Sequence, residues 1–109
     1  MQSVHPTELL DFLAAHPQAV LLDVREPWEV ALASLALPGV ELRAVPMSQI
    51  PDAMQQWAPD QTTVCICHHG VRSAQVGRYL ESSGWSDVVN LSGGMDAWST
   101  LVDPSVPRY

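Results

Sequence analysis

The sequence contains no lysine, and the five positively charged side chains among its 109 residues are all arginines. Twelve carboxylates outnumber these cations and bring the formal net charge to −7. Nucleic acids and anionic membrane surfaces bind clustered cations, so the composition argues against both as partners. An anionic ligand would require local arginines and backbone N–H groups that outweigh the overall negative charge.

Long hydrophobic segments are missing as well. The longest uncharged apolar stretch, residues 30–40, includes a proline and a glycine and is too short to span a bilayer. His5, Glu8 and Asp11 interrupt the first apolar positions, so we see no signal peptide. We therefore expect a cytoplasmic protein that binds neither a membrane nor nucleic acid.

Cysteine is scarce, since Cys65 and Cys67 are the only two. In the cytoplasm we expect both thiols to be reduced, and a disulfide between residues two positions apart in a strand has poor geometry. A chain of 109 residues buries a sufficient core without disulfides. Its length fits one compact domain, which we place at residues 1–109.

The sequence does contain a regular alternation of strand-like and helix-like segments. This alternation predicts an α/β domain with a mainly parallel sheet. The predicted strands are residues 19–24, 40–45, 62–67 and 88–91, and the predicted helices are residues 6–16, 27–34, 48–57, 70–83 and 95–101. The tail after residue 102 holds two prolines and is predicted to pack as an extended strap.

The helix at residues 70–83 has the clearest amphipathic pattern. Arg78 and Glu81 are predicted to face solvent, and Gly84 is predicted to form the C-terminal cap. The residues predicted to face inward are Val71, Ala74, Val76, Tyr79 and Leu80. In the helix at residues 48–57, Ser48 is the predicted N-terminal cap.

Cys67 lies where a predicted buried strand passes into this helix, and four residues separate it from Arg72. Backbone N–H groups in such a turn point inward and form an anion nest together with the helix dipole. Gly70 permits the backbone conformation that this turn requires. We expect these donors and Arg72 to favour the Cys67 thiolate, which is the nucleophilic form, and Arg72 to clamp an anionic substrate.

The segment Cys67-His68-His69-Gly70-Val71-Arg72-Ser73 resembles the active-site loop of the rhodanese family, Cys-x-x-Gly-x-Arg-Ser. Two further motifs resemble that family and occur in the expected order, Asp23-Val24-Arg25 and Gly93-Gly94-Met95-Asp96-Ala97-Trp98. The resemblance covers nearly the whole chain. It implies a rhodanese-like fold, with a sheet of about five strands, helices on both faces and Cys67 at the carboxyl ends of the strands.

The resemblance also implies a sulfurtransferase of the thiosulfate sulfurtransferase type. Cys67 would take a sulfane sulfur from a donor such as thiosulfate, hold it as a persulfide and pass it to cyanide or a thiol. The acceptor would be a small thiophile or a sulfur-carrier protein, and no cofactor or metal is implied. The substrate-binding residues would be His68, His69, Gly70, Val71, Arg72 and Ser73.

Two other functions stay open from the sequence. One is a sulfur-relay or thiol-stress binding module with little thiosulfate turnover. The other is a phosphatase or arsenate reductase, which we favour less. Rhodanese-like and tyrosine phosphatases have one more residue between the cysteine and the arginine, and the shorter loop here makes a smaller pocket that suits sulfur.

Asp23 and Arg25 have two readings. They could help to build the site from the end of the neighbouring strand. We favour a structural role instead, in which Arg25 contacts Glu26, Glu29 or the loop backbone. Cys65 lies in mid-strand, and we expect it to pack in the core rather than to act as a resolving thiol.

His68 and His69 also have two readings. Together with Cys65 and Cys67 they match no common zinc spacing, so we predict no metal site. We expect the two histidines either to line the loop and tune Cys67 or its substrate, or simply to face solvent.

Overall fold

A computed structural model describes all 109 residues and contains one five-stranded sheet. The strands are β1 Gln2–Val4, β2 Val20–Asp23, β3 Glu41–Ala44, β4 Thr63–Ile66 and β5 Val88–Leu91. The helices are α1 Leu9–Ala15, α2 Pro27–Leu32, α3 Ile50–Ala53, α4 Val71–Ser82 and α5 Gly94–Leu101. The strand order is β1-β5-β4-β2-β3 and every neighbouring pair is parallel, which confirms the predicted α/β fold.

Two hydrophobic clusters cover the two faces of the sheet, because alternate side chains of a strand point to opposite sides. Leu21 and Ile66 face the cluster that includes residues of α1 and α5. Leu22 and Cys67 face the cluster that includes residues of α3 and α4. The helices therefore flank the sheet on both sides, and β2 and β4 are buried on both faces.

The register of the two central strands determines where the site lies. Asp23 of β2 is paired with Ile66 of β4, so both strands end at the same level. The segments that follow, with Arg25 after one strand and Cys67 after the other, emerge at the same edge. None of the helices is long and apolar enough to cross a lipid bilayer.

The first strand was not predicted from the sequence. β1 has only three residues and pairs with β5 at the edge of the sheet. Alternation over three residues is too short to stand out from a coil segment. The predicted helix at residues 6–16 begins as a 3₁₀ turn, Pro6–Glu8, in which the His5 ring accepts a hydrogen bond from the Thr7 N–H.

The sequence predicted one continuous helix at residues 48–57, and this prediction is wrong. The segment consists of a 3₁₀ turn at Met47–Gln49, the single turn α3 and a second 3₁₀ turn at Met54–Gln56. Ser48 is exposed and caps nothing, since no side chain caps either of the first two turns. The anchors of the segment are the buried residues Ile50 and Met54, which pack into the second cluster.

The predicted inward face of α4 is wrong at two positions. Val71 is 65% exposed and Tyr79 is 44% exposed. The buried residues are instead Ser73, Val76, Gly77 and Leu80, a stripe at spacings of three and four. Two members of this stripe are small or polar, so a pattern that counts only apolar residues misplaces the face.

The residues after α5 form neither helix nor strand. The Val106 N–H donates to the Asp103 carbonyl in a turn, and Val106 and Tyr109 pack against the first cluster. Tyr109 thereby reaches the edge of the sheet where Arg25 emerges, and its hydroxyl accepts a hydrogen bond from the Arg25 guanidinium at 2.8 Å.

Gly94 offers a test of how closely α5 approaches the segment after β4. Its φ is +58°, and a Cβ there would overlap the Cys67 carbonyl oxygen and lie 2.6 Å from the His68 carbonyl oxygen. Because both neighbours are backbone atoms, we expect Gly94→Ala to lower the free energy of unfolding by roughly 3 kcal/mol or more, as measured by chemical denaturation.

Gly84→Ala is the matched control. Gly84 also has a positive φ, at +99°, but no atom lies within 4 Å of the position that an added Cβ would take. Only backbone strain remains there, so we expect a loss of roughly 1–2 kcal/mol. Equal losses of unfolding free energy in the two variants would contradict the close approach of α5 to the segment after β4.

Candidate active site

Cys67 follows β4 directly, and its side chain is almost completely buried, with 1% exposure. The backbone N–H of Gly70 donates a hydrogen bond to Cys67 Sγ at 3.0 Å. Gly70 is the N-cap of α4 and has φ +95°, a left-handed conformation that glycine adopts without strain. The turn after β4 therefore folds back so that a backbone donor reaches the sulfur.

The other backbone donors of this turn have no protein acceptor. This holds for the N–H groups of His68 and His69 and for those of Val71, Arg72 and Ser73 in the first turn of α4. The first N–H groups of a helix lack partners within the helix, and they carry the positive end of its dipole. The segment from residue 68 to residue 73 thus has the donors of the predicted anion nest.

The first turn of α5 holds the opposite side of the loop. The Met95 N–H donates to the Cys67 carbonyl at 2.9 Å, and the Asp96 N–H donates to the His68 carbonyl at 3.0 Å. In a trans peptide the C=O and N–H bonds point in opposite directions. Holding these two carbonyls toward α5 therefore turns the N–H groups of His68 and His69 away from it.

A buried polar pair lies behind the sulfur. The Ser73 hydroxyl oxygen is 3.2 Å from Cys67 Sγ and 2.6 Å from Asn90 Oδ1, and Asn90 Nδ2 donates to the Gly70 carbonyl at 3.1 Å. Ser73 was among the predicted site residues, whereas Asn90 was not. The signal that points to Asn90 is a polar residue within the otherwise apolar strand β5, all of which is buried.

Arg72 is not free at this site, because Glu29 of α2 binds it through two hydrogen bonds. Its Nη1 and Nη2 donate to the two carboxylate oxygens of Glu29 at 2.6 and 2.8 Å. Hydrogen bonding to Arg72 lowers the pKa of Glu29 to about 2, although burial opposes this shift. The same pairing raises the pKa of Arg72. The role of Arg72 as a substrate clamp stays a prediction, and its charge is already compensated.

Asp23 and Arg25 form a second, fully buried ion pair. Arg25 Nη2 lies 2.7 Å from an Asp23 carboxylate oxygen, and the guanidinium also donates to the carbonyls of Ala33 and Glu29. The sequence left Glu26, Glu29 and the loop backbone as candidate partners of Arg25. Arg25 contacts the backbone carbonyls of Glu29 and Ala33, whereas the carboxylate that pairs with it is that of Asp23. Burial by itself lowers the pKa of Arg25, but the hydrogen bonds with Asp23 and Tyr109 together outweigh it and raise the pKa.

Tyr109 joins the two ion pairs. Its hydroxyl accepts from Arg25 Nη1 and donates to Glu29 Oε2, each at 2.8 Å. The sequence offered no signal for this contact, because Tyr109 lies 80 positions after Glu29. The network that results runs from Asp23 through Arg25, Tyr109 and Glu29 to Arg72.

The two histidines lie on the rim of the loop. The His68 ring stacks on the His69 ring at 4.0 Å and on the Tyr109 ring at 3.9 Å. Burial, and then the neighbouring His69, lower the pKa of His68. His69 is exposed. No three His, Cys, Asp or Glu side chains come close enough together to hold a metal ion.

Comparison with known proteins is consistent with this geometry. The sequence model of the rhodanese-like domain matches residues 5–101. The chain belongs to the rhodanese-like family. A crystal structure of a rhodanese-like domain protein from Staphylococcus aureus superposes with a TM-score of 0.79 at 33% identity, covering 100% of this chain and 99% of that one.

Two curated relatives extend the comparison of this rhodanese-like chain. It is 42% identical over 96 residues to rhodanese-like/PpiC domain-containing protein 12 of Arabidopsis thaliana, covering 84% of this chain and 31% of that protein. It is 31% identical over 101 residues to thiosulfate sulfurtransferase GlpE of Pseudoalteromonas translucida, covering 93% of this chain and 89% of that protein. The chain spans less than a third of the length of the plant protein and of some long bacterial relatives.

Cys65 differs from Cys67 in this rhodanese-like domain although the residue type is the same. Its side chain is fully buried in the cluster that contains Val76 and Leu80, and neither cysteine forms a disulfide. Burial raises the pKa of the Cys65 thiol to about 12. It is therefore a protonated packing residue at neutral pH, as the sequence led us to expect.

The Glu29–Arg72 pair makes a pH-dependent contribution to stability. The pKa of Glu29, lowered from 4.5 to about 2, corresponds to a contribution of about 3 kcal/mol to the free energy of unfolding. Because Arg72 is partly exposed and solvent screens the pair, we reduce this contribution to roughly 1–2 kcal/mol. A carboxylate with a lowered folded pKa stabilises fully above its unfolded pKa and loses its effect as the pH falls through the folded pKa. We therefore expect Glu29→Gln to be destabilised by roughly 1–2 kcal/mol at pH 7, with the difference shrinking between pH 4.5 and 2.

Denaturant titrations across this pH range measure the effect. Glu8→Gln is the matched control, because Glu8 is exposed and its side chain caps no helix. A Glu29→Gln deficit that stays constant down to the acid limit would contradict a stabilising ionised pair.

Proposed function

We propose that this rhodanese-like domain is a sulfurtransferase that moves a sulfane sulfur from a donor such as thiosulfate to a thiophilic acceptor. The carrier is a persulfide on Cys67. The observation that carries the proposal is the Gly70 N–H donated to Cys67 Sγ at the start of α4. Relatives of this family that are named as sulfurtransferases support the reaction class.

The first half-reaction is a displacement at sulfur. The Cys67 thiolate attacks the outer sulfur of thiosulfate, and a new S–S bond forms. The S–S bond within thiosulfate breaks, and sulfite leaves with its electron pair. The terminal sulfur of the persulfide then carries the negative charge, for which the unpartnered N–H groups of residues 68, 69 and 71–73 are suitable donors.

The second half-reaction returns the enzyme to its initial state. Cyanide or an acceptor thiolate attacks the terminal sulfur, and the persulfide S–S bond breaks. Thiocyanate or a new persulfide leaves, and the electron pair returns to Cys67 as the thiolate. The Gly70 N–H is positioned to stabilise the negative charge on Sγ at this step.

The geometry favours sulfur over phosphate. Cys67 is 1% exposed, and its loop holds four residues before Arg72, one fewer than the loop of phosphatases. A phosphoryl group needs room for three oxygens around its centre, whereas a sulfane sulfur is a single terminal atom. A phosphatase or arsenate reductase is accordingly the weaker candidate.

Cys67→Ser tests the proposed carrier. We expect it to abolish sulfur transfer from thiosulfate to cyanide, because a serine oxygen forms no persulfide, while the fold is retained. Intact-mass spectrometry after thiosulfate treatment is expected to show an added mass of about 32 Da, one sulfur atom, in the wild type and none in the variant.

Cys65→Ala is the matched control for that experiment. It removes the chemically identical side chain two residues earlier, which is protonated and buried. We expect it to keep the adduct and the transfer activity. A Cys67→Ser protein with wild-type activity, or an adduct that requires Cys65, would refute the mechanism.

A sulfur-relay module is the second candidate, and one observation favours it. Both arginines at the site are paired, Arg25 with Asp23 and Arg72 with Glu29, so a dianion such as thiosulfate meets no uncompensated guanidinium there. The overall charge of −7 repels it further. A persulfide on a partner protein or a small thiol delivers the same sulfur with less negative charge.

Donor preference separates the two candidates. If the domain is a relay, we expect kcat/KM for cysteine persulfide to exceed that for thiosulfate by at least about tenfold, which corresponds to about 1.4 kcal/mol. Glu29→Gln frees the Arg72 charge and is expected to narrow this ratio by improving the use of thiosulfate. A wild-type ratio near one would leave the thiosulfate enzyme as the better description.

A further inference from the structure

The Ser73 hydroxyl faces two neighbours but carries one hydrogen. Its oxygen lies 3.2 Å from Cys67 Sγ and 2.6 Å from Asn90 Oδ1, and all three residues are buried. A hydroxyl oxygen can donate one hydrogen bond and accept others. The contact that receives the hydrogen decides whether Ser73 stabilises the thiolate or the thiol of Cys67.

The orientation of Asn90 follows from its second contact. Its other amide atom lies 3.1 Å from the Gly70 carbonyl oxygen, which can only accept a hydrogen bond. The amide nitrogen must therefore face Gly70, and the amide oxygen must face Ser73. A reversed amide would place two oxygen acceptors against each other and leave the nitrogen beside Ser73.

The short distance between Ser73 and Asn90 then locates the hydroxyl hydrogen. Two oxygen atoms approach to 2.6 Å favourably only with a hydrogen between them, and the Asn90 oxygen has none to give. The hydrogen belongs to Ser73 and points toward Asn90. A lone pair of the Ser73 oxygen is left facing Cys67 Sγ.

We propose that Asn90 is a positioning residue that directs the Ser73 hydrogen away from Cys67, so that Ser73 accepts the S–H of the resting thiol instead of donating to the thiolate. The chain of donors runs from Cys67 Sγ to Ser73 Oγ, from Ser73 Oγ to Asn90 Oδ1, and from Asn90 Nδ2 to the Gly70 carbonyl. The relevance to sulfur transfer rests on the proposed function, whereas the assignment of the hydrogens does not.

Ionisation of Cys67 has a defined consequence in this arrangement. The thiol proton leaves to a base in solvent, and the Ser73 oxygen loses the hydrogen bond that it accepted. Ser73 can donate to the thiolate only by rotating its hydroxyl, which leaves the buried Asn90 oxygen without a donor at an energetic cost. The Gly70 N–H is therefore the donor already directed at the thiolate, whereas the Ser73 oxygen accepts only from the thiol. The charged and titratable neighbours of Cys67 are Arg72, which is paired with Glu29, and Cys65, whose pKa is raised. Neither is changed in the variants below.

Ser73→Ala tests the direction of this hydrogen bond. The rate of alkylation of Cys67 by iodoacetamide, in which the thiolate displaces iodide, is measured against pH. We expect the midpoint of this profile to fall by about half a unit to one unit, because the acceptor of the thiol hydrogen is lost. A midpoint that rises, as expected if Ser73 donates to the thiolate, or that stays unchanged would overturn the proposal.

Asn90→Leu tests whether Asn90 acts through Ser73. The freed Ser73 hydroxyl can donate to Sγ, so we again expect a lower midpoint. In the Ser73→Ala background the same substitution is expected to cause no further shift. A shift of equal size in both backgrounds would mean that Asn90 acts through Gly70 alone, and the proposal would be wrong.

Two controls test whether a shift in the alkylation midpoint is specific to the Ser73–Asn90 pair and to Cys67. Ser92→Ala removes another serine near the end of β5, whose hydroxyl donates to the Val4 carbonyl, and we expect it to leave the midpoint unchanged. Burial raises the pKa of Cys65, so we expect one adduct per chain, and mass analysis of the proteolytic fragments assigns it to Cys67 or Cys65. Alkylation requires no sulfur donor, so a failed transfer assay beside the expected shifts would reject the proposed function alone.

Discussion

The hydrogen bonds from the first turn of α5 to the carbonyls of Cys67 and His68 are the constraint on which the site depends. They turn two peptide planes so that the corresponding N–H groups point away from α5. The contact requires a residue without a Cβ at Gly94, where any side chain would overlap the carbonyl oxygen of Cys67. The glycine pair at the start of α5, Gly93 and Gly94, and the cysteine loop are therefore parts of one structure, although they are far apart in sequence.

Charge at this site is balanced within short distances. Two carboxylates and two guanidiniums, joined by the hydroxyl of Tyr109, form a neutral network beside the loop. Isolated buried charges are costly, and pairing is the usual way in which proteins tolerate them. A charged sulfur at this site is therefore stabilised by backbone N–H groups, which are uncharged and have no paired carboxylate. A low-charge donor suits such a site better than a dianion does.

Much of the fold was predictable because its signals are local. The apolar runs that became β2 and β4, and the strand-turn-helix passage at Cys67, are contiguous in sequence. The differences between the predicted and the observed elements also have local causes. β1 is too short to show a period, α3 is a single turn between two 3₁₀ turns, and the buried stripe of α4 contains Ser73 and Gly77.

By itself the sequence determined the position of Cys67, the four-residue spacing to Arg72 and the glycine that begins the helix, because these depend on neighbouring residues in one turn. Only the tertiary structure decided what surrounds them. Glu29 and Tyr109 reach Arg72 and Arg25 from distant segments, and Asn90 reaches Ser73 from β5. Such contacts follow from strand order and register, which place the ends of β2, β4 and β5 at one edge. A single sequence does not specify which distant polar side chains meet there.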